Sequence, residues 1–255
     1  MKKLTKAILP MDYDTYVFDL YGTLVDIHTE EGDPVLWQKL ALFYGYYGAL
    51  YEPQELQEAY HKLVHGKEVA LKNELEQGPR YSHEASPEIE ITEVFRELYT
   101  AKGVACDDAL AIHTGQFFRV TSTEYVRTYE GTAEMLASLK AHGKKVYLLS
   151  NAQRIFTAYE MNTLDIARYF DDIFISSDYR TRKPDRRFID ALIEKHDIDV
   201  PHSLFVGNDS RSDVAVADSV DMDTYYVFSN ISPQGDSAPG ADYSVAEFRR
   251  WEAWD

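Results

Sequence analysis

Cysteine is almost missing from these 255 residues: Cys106 stands alone. A single thiol excludes an intrachain disulfide and a thiolate zinc cluster. Positive charge is also scarce. Lys plus Arg number 26 against 43 Asp plus Glu, a formal net charge of −17 at pH 7. Such a surface repels phosphate backbones, so nucleic acid is not expected as a partner. An anionic small substrate would then need local help from a metal, a lysine or a helix N-terminus. No apolar run reaches membrane-spanning length. The opening MKKLTKAILPMDYD lacks the apolar region and cleavage site of a signal peptide. No membrane partner and a cytoplasmic location are therefore expected. With 45% hydrophobic and 27% charged residues, the remainder has an ordinary globular composition. Its length suits one large α/β domain or a core domain with a sizeable insert.

What is present is organised around Tyr16–Asp26, YVFDLYGTLVD. Tyr16-Val17-Phe18 has the look of a buried strand. It runs into Asp19 where the strand should end, and then into Gly22, which permits a sharp turn. From Asp26 to Tyr129 the pattern is helical. Asp33-Pro34, Pro53, Ser86-Pro87 and Asp107-Asp108 read as four helix starts. Leu36, Leu40, Phe43 and Tyr47 recur at helical spacing in the first, and Ile91, Val94, Phe95 and Leu98 in the third. Four helices without an intervening strand imply a helical bundle inserted at 28–127. Beyond Tyr129 strands and helices alternate. Strands are expected at Val146–Leu149, Ile173–Ile175, Leu204–Val206 and Tyr225–Phe228, with helices between them and Tyr243–Val245 as a short edge strand. The helix after Tyr129 is expected to be capped by Thr132. The fold class is therefore α/β, a doubly wound, Rossmann-like parallel sheet built from 1–27 and 128–255, carrying the bundle as a cap.

Three strand ends deliver polar residues to one edge of that sheet: Asp19, Ser150-Asn151 and Asn208-Asp209. Lys183 follows a fourth strand. Singly, each has a bland reading. Asp19 and Ser150 could cap a turn and a helix, Lys183 could be a solvated charge, and Asp213 a first-turn acid. Together they form one constellation where open α/β sheets bind ligands.

That constellation resembles a known family. DLYGTL at Asp19–Leu24, LSN at Leu149–Asn151, RKP at Arg182–Pro184 and VGNDSRSD at Val206–Asp213 are similar, in order, to the four motifs of the haloacid dehalogenase-like hydrolases. The inserted bundle matches the family's helical cap. The resemblance implies that Asp19 is the nucleophile, forming an aspartyl intermediate. It implies that Thr23 and Ser150 hydrogen-bond the transferring group, with Asn151 beside it, and that Lys183 neutralises charge. It also implies Mg²⁺ between Asp19, the backbone carbonyl of Tyr21 and the loop after Val206, where Asn208, Asp209 and Asp213 remain alternative ligands in two possible registers.

Tyr21 departs from the pattern. Phosphatases of this family carry a second aspartate there as general acid/base, and tyrosine, with a reference pKa of about 10, is a poor base. Three readings follow. The first is a Mg²⁺-dependent phosphatase acting on a small phosphate ester, either one whose leaving group departs unaided or one protonated by another residue such as His28. The second is a 2-haloacid dehalogenase, favoured by Tyr21 but lacking the cap arginine: the first cap helix offers only Lys39, and the nearest arginine is Arg80. The third is a non-catalytic relative binding through a cap rich in Tyr44, Tyr46, Tyr47, Tyr51 and Tyr60. The long cap is expected to gate access. Substrate identity and oligomeric state are not readable from the sequence.

Overall fold

The computed structural model describes residues 2–79, 83–246 and 248–254. In chain order it begins with β1 (Lys2–Leu4), β2 (Ala7–Ile8), β3 (Thr15–Phe18) and β4 (Val25–Thr29). The helices α1 (Pro34–Tyr46), α2 (Pro53–Leu75), α3 (Ile91–Thr100) and α4 (Asp108–Ser122) follow. Next come β5 (Thr123–Thr128), α5 (Thr132–Ala141), β6 (Lys145–Ser150), α6 (Arg154–Thr163), β7 (Asp172–Ile175), α7 (Ser176–Tyr179) and α8 (Arg186–His196). The chain closes with β8 (Ser203–Gly207), α9 (Ala215–Asp218), β9 (Asp223–Val227), β10 (Tyr243–Val245) and β11 (Trp251–Glu252).

Among the described residues, seven strands form one parallel sheet in the order β1-β10-β9-β8-β3-β6-β7. The period of two in the central strands explains why it is covered on both faces. Tyr16 and Phe18 pack with Leu148, Leu204 and Val206 on one side, whereas Val17 packs with Leu149 and Phe205 on the other. Each fully buried side chain of this size contributes roughly 1.5–3 kcal/mol. From β3 the chain winds outward through β6 and β7, then returns to β8 on the opposite side. The winding thus reverses between β3 and β8, the point at which open α/β sheets generally form a ligand crevice at the carboxyl ends of their strands.

The helical insert has its own core, with Trp37, Tyr44, Phe95, Tyr99 and Phe118 almost wholly buried. Tyr60 joins that core, whereas Tyr46 is 90% exposed. Three of the four expected helix starts hold. Asp33 accepts from Val35 N ahead of Pro34, Glu52 and Glu55 form a capping box ahead of α2, and Asp107 accepts from Leu110 N. The third does not: α3 begins at Ile91, capped by Glu90, and not at Ser86-Pro87. The backbone there is committed elsewhere. Ser86 N donates to Asp185 Oδ2, Ser86 O accepts from Arg182 N, and Pro87 bridges Thr181. This segment therefore binds the loop that carries Lys183.

Other differences are at the ends and joints. Tyr243–Val245 is a strand but not the edge, because β1 pairs outside it. Gly131, with φ +79°, occupies the position before α5, and Thr132 donates to Leu24 O instead of capping. The chain leaves the sheet along β4 and returns along β5, and these two form an antiparallel ribbon the sequence did not announce. The pair β2–β11 is likewise unforeseen. No helix among the described residues is long and apolar enough to cross a membrane.

Candidate active site

The turn after β3 is built by its own backbone. Leu24 N and Val25 N both donate to Leu20 O, and Gly22 N donates to Val25 O. Gly22 has φ +88°, and a Cβ there would lie 2.1 Å from Asn208 Nδ2. Only glycine lets the Asp19 turn meet the β8 turn this closely. Gly207 meets a similar limit, since its Cβ would fall 2.4 Å from Asp213 Cβ. These two glycines let β3 and β8 bring their terminal side chains into one buried cluster.

At its centre is Lys183. Its Nζ donates to Asp19 Oδ1 at 2.7 Å and to Asp213 Oδ1 at 2.8 Å, and its side chain is 1% exposed. Burial opposes the ammonium's charge, yet the two carboxylates outweigh it and hold the lysine above its ordinary pKa. Asp19 is pushed up to about 6, mainly by burial; Lys183 pulls it down and Asp213 pushes it up. Asp213 Oδ2 accepts from the backbone N–H of both Asn208 and Asp209. The β8 turn thus wraps Asp213 and fixes it against the lysine.

Thr23 Oγ1 lies 3.4 Å from Asp19 Oδ2 and 3.5 Å from Asn208 Oδ1. Ser150, at the end of β6, is fully buried, and its Oγ makes no hydrogen bond among the described residues. An unpartnered buried hydroxyl costs stability, and this one stands at the end of the strand that pairs with β3. Asn151 has a different place. Its Oδ1 accepts from Lys183 N at 2.8 Å and its Nδ2 donates to Lys183 O at 3.0 Å. It therefore clamps the backbone of the lysine. Asp209 turns its carboxylate to Arg211, accepting from Arg211 N at 2.9 Å. Of the three alternatives in the β8 loop, Asn208 and Asp213 sit in the cluster while the Asp209 side chain points out of it.

Tyr21 is seated between cap and core. Its hydroxyl donates to Glu160 Oε2 at 2.5 Å and lies 3.2 Å from Thr157 Oγ1, both on α6. Arg119, from the last turn of α4, donates Nε to Glu160 Oε1 at 2.7 Å and stacks its guanidinium 5.6 Å from the Tyr21 ring centre. Burial first, then the Glu160 charge, raises the Tyr21 phenol well above its ordinary value. Neither Arg119 nor Glu160 was expected from the sequence. The only signal was helical spacing, which placed Arg119 near the end of the fourth helix without saying what it faced. Trp251 was missed as well: its indole N–H donates to Thr23 O at 3.0 Å and pins the turn after Asp19 from β11. His28 lies on the ribbon, stacked on Tyr125 and 3.6 Å from Glu124. Arg80 lies outside the described residues.

A family model for hydrolases, the haloacid dehalogenase-like hydrolases, matches residues 13–221. The chain belongs to this family. Solved structures named for different chemistries resemble it equally in fold. A HAD phosphatase from Thermococcus onnurineus superposes with TM-score 0.53 at 16% identity, covering 91% of this chain and 93% of that one. A dehalogenase does so with TM-score 0.53 at 17% identity, covering 94% and 95%. At such identities the likeness is one of fold alone. Phosphoglycolate phosphatases are similar over shorter stretches. That of Agrobacterium fabrum is 35% identical over 91 residues, 36% of this chain and 39% of its own length. That of Pseudomonas fluorescens Pf-5 is 32% identical over 120 residues, 46% and 43%. The matched stretches span less than half the length of these relatives.

Proposed function

We propose that this haloacid dehalogenase-like hydrolase is a Mg²⁺-dependent phosphatase of a small phosphate ester, working through an aspartyl-phosphate on Asp19. The observation that carries the reading is the Asp19–Lys183–Asp213 cluster, with the unpartnered Ser150 hydroxyl at the end of the neighbouring strand β6. Lys183 holds Asp19 in place and offers positive charge where phosphoryl oxygens would gather. Thr23 and Ser150 supply neutral donors to the same group, and Asn151 acts indirectly by fixing Lys183. Positioned donors and cations of this kind are the main lever in phosphoryl transfer.

The donor set suits a hard cation. Asp19, Asp213, the Asn208 amide oxygen and the Tyr21 backbone carbonyl are all oxygens. Mg²⁺ commonly takes one or two carboxylates and fills the remainder with water and substrate phosphate. Among the described residues no cluster of three or more acidic, histidine or cysteine side chains forms a metal cage, so the site would lean on substrate oxygens. A bound Mg²⁺ would offset charge on the phosphoryl group. Asp209 is a weaker choice of ligand because its carboxylate is spent on Arg211.

Tyr21 is the one observation that favours dehalogenation instead. Against that reading, Arg119, the guanidinium stacked on Tyr21, is committed to Glu160, where it cannot hold a haloacid carboxylate without breaking a buried pair. A purely binding role leaves the buried Asp19–Lys183 pair without a purpose. The test is phosphate release from p-nitrophenyl phosphate with Mg²⁺ and with EDTA, beside Asp19→Asn. Mg²⁺-dependent release that is lost in Asp19→Asn is expected. Halide release from 2-chloropropionate without phosphate release would replace this reading with the dehalogenase.

A further inference from the structure

Glu88 is a buried acid that the proposed reaction does not use. It lies in the insert between α2 and α3 and is 8% exposed; burial raises its carboxyl above the ordinary range, against the hydrogen bond from Ser176. Both oxygens are occupied. Oε2 accepts from Ser176 Oγ at 2.8 Å, and Oε1 accepts from Gln153 Nε2 at 2.9 Å. Ser176 opens α7 after β7, and Gln153 precedes α6 after β6, so both partners belong to the core. A buried carboxyl without partners would drive its segment off the core; with both oxygens bonded it holds the segment there. Gln153 extends the contact. Its Nε2 also donates to Ile89 O at 2.9 Å, and its Oε1 accepts from Ile91 N at 3.0 Å.

The same segment holds the loop of Lys183. Glu88 N donates to Arg180 O at 3.2 Å, and Ser86 O accepts from Arg182 N at 2.9 Å and from Thr181 Oγ1 at 3.2 Å. On the other side of the lysine, Ser86 N donates at 3.1 Å to Oδ2 of Asp185, which is fully buried. Residues flanking Lys183 in both directions are therefore bonded to Ser86 or Glu88. From α2, Glu74 meets Arg180 at 2.7 Å and Glu68 meets Arg182 at 3.9 Å, but such exposed pairs contribute little. Asn151 grips the lysine's own backbone from the core. The ammonium thus reaches Asp19 and Asp213 from a loop held on two sides.

We propose that Glu88 is a positioning residue for Lys183: it pins a strap, Ser86–Glu88, to the core, and the strap fixes the loop from which the lysine reaches Asp19. The insert is thereby part of the framework of the site. Only the kinetic half of the test rests on the phosphatase reading.

The experiment compares Glu88→Ala, which removes both side-chain bonds, with Glu88→Gln, whose amide can accept from Gln153 and donate to Ser176 Oγ. Trace labelling of the intact protein with acetic anhydride, read lysine by lysine by mass spectrometry, reports how often each amine is free of its partners. Lys183 is 1% exposed. Lys144, 17% exposed and just before β6, at the far end of that strand from Asn151, is the internal reference. In Glu88→Ala the rate at Lys183 should rise about tenfold relative to Lys144, as expected for losing two hydrogen bonds of ordinary net strength. Glu88→Gln should return it to the native rate. With p-nitrophenyl phosphate and Mg²⁺, kcat should fall in Glu88→Ala and recover in Glu88→Gln, with KM changed less. An unchanged Lys183 rate in folded Glu88→Ala overturns the proposal, since the loop would then be held without the strap. A rise at Lys183 matched at Lys144 does the same, because it marks general loosening. Faster labelling with kcat unaltered also overturns it, as the seat of the lysine would not matter to the reaction. Should Glu88→Ala not fold, Gln153→Ala removes the other half of the contact and is read in the same way. Absence of turnover in the unaltered protein would overturn the phosphatase reading and leave the labelling result standing.

Discussion

At the scale of single residues, the cluster depends on one clamp. Asn151 makes two hydrogen bonds to the backbone of Lys183 from 32 positions away. Asn151→Ala should leave Asp19 and Mg²⁺ binding in place while letting the ammonium wander. A displacement of about 1 Å can cost about 10²-fold, so kcat should fall by that order with KM changed much less. Steady-state kinetics on p-nitrophenyl phosphate would check this, and an unchanged kcat would show that Asp19 and Asp213 alone hold the lysine. Asp19, Ser150 and Asn208 were legible because each stands at the end of an apolar strand, near Phe18, Leu149 and Gly207. Asn151 was legible as a member but not in its task. A side-chain contact to a distant backbone leaves no periodic trace, and for the same reason neither Trp251 on Thr23 nor Glu160 on Tyr21 could be read.

At the scale of elements, two joints set how the cap sits. The first is helix on helix. Gly115 in α4 has no Cβ because one would lie 2.5 Å from Ile155 Cδ1 and 2.9 Å from the Phe95 ring. Replacing a helical glycine usually helps a helix by up to about 1 kcal/mol. Here Gly115→Val should destabilise by roughly 1–3 kcal/mol through overpacking, seen as a lower melting temperature. The second joint is the ribbon. Asp26 on β4 accepts from Arg127 on β5 and from Asn230 beyond β9. Burial pushes the Asp26 carboxyl up, but the hydrogen bonds from Asn230 and Arg127 hold it below its ordinary value. A carboxyl depressed on folding adds stability above its unfolded pKa, near 3.9, and loses it as pH falls through the folded value. The melting-temperature gap between the native protein and Asp26→Asn should thus be full at neutral pH and shrink in acid. A gap constant with pH would mean that shape and not charge holds the ribbon. Helix starts marked by Asp33-Pro34 and Asp107 were readable because caps are local. The ribbon was not, since its two strands are separated in sequence by the whole cap and only their pairing reveals it.

At the scale of the whole molecule, charge and closure oppose each other. Composition announced a net charge of −17, but could not say that the few cations are spent locally. Lys183 is buried between two acids, Arg119 serves Glu160, and Arg180 binds Glu74 at 2.7 Å across the cap and core. A dianionic substrate therefore approaches a molecule whose net charge is negative. Beyond about 10 Å that field is largely screened in 0.1 M salt. Raising KCl from low concentration toward that value should increase kcat/KM for p-nitrophenyl phosphate at saturating Mg²⁺, and increase it less for the singly charged ester methyl p-nitrophenyl phosphate if that is turned over at all. The exposed Arg180–Glu74 pair, which ties α2 to the loop after α7, is weakened by salt as well. A kcat/KM that falls with salt would instead mean that a local positive field at the site reaches past the cap and draws the substrate in, against the charge of the molecule as a whole.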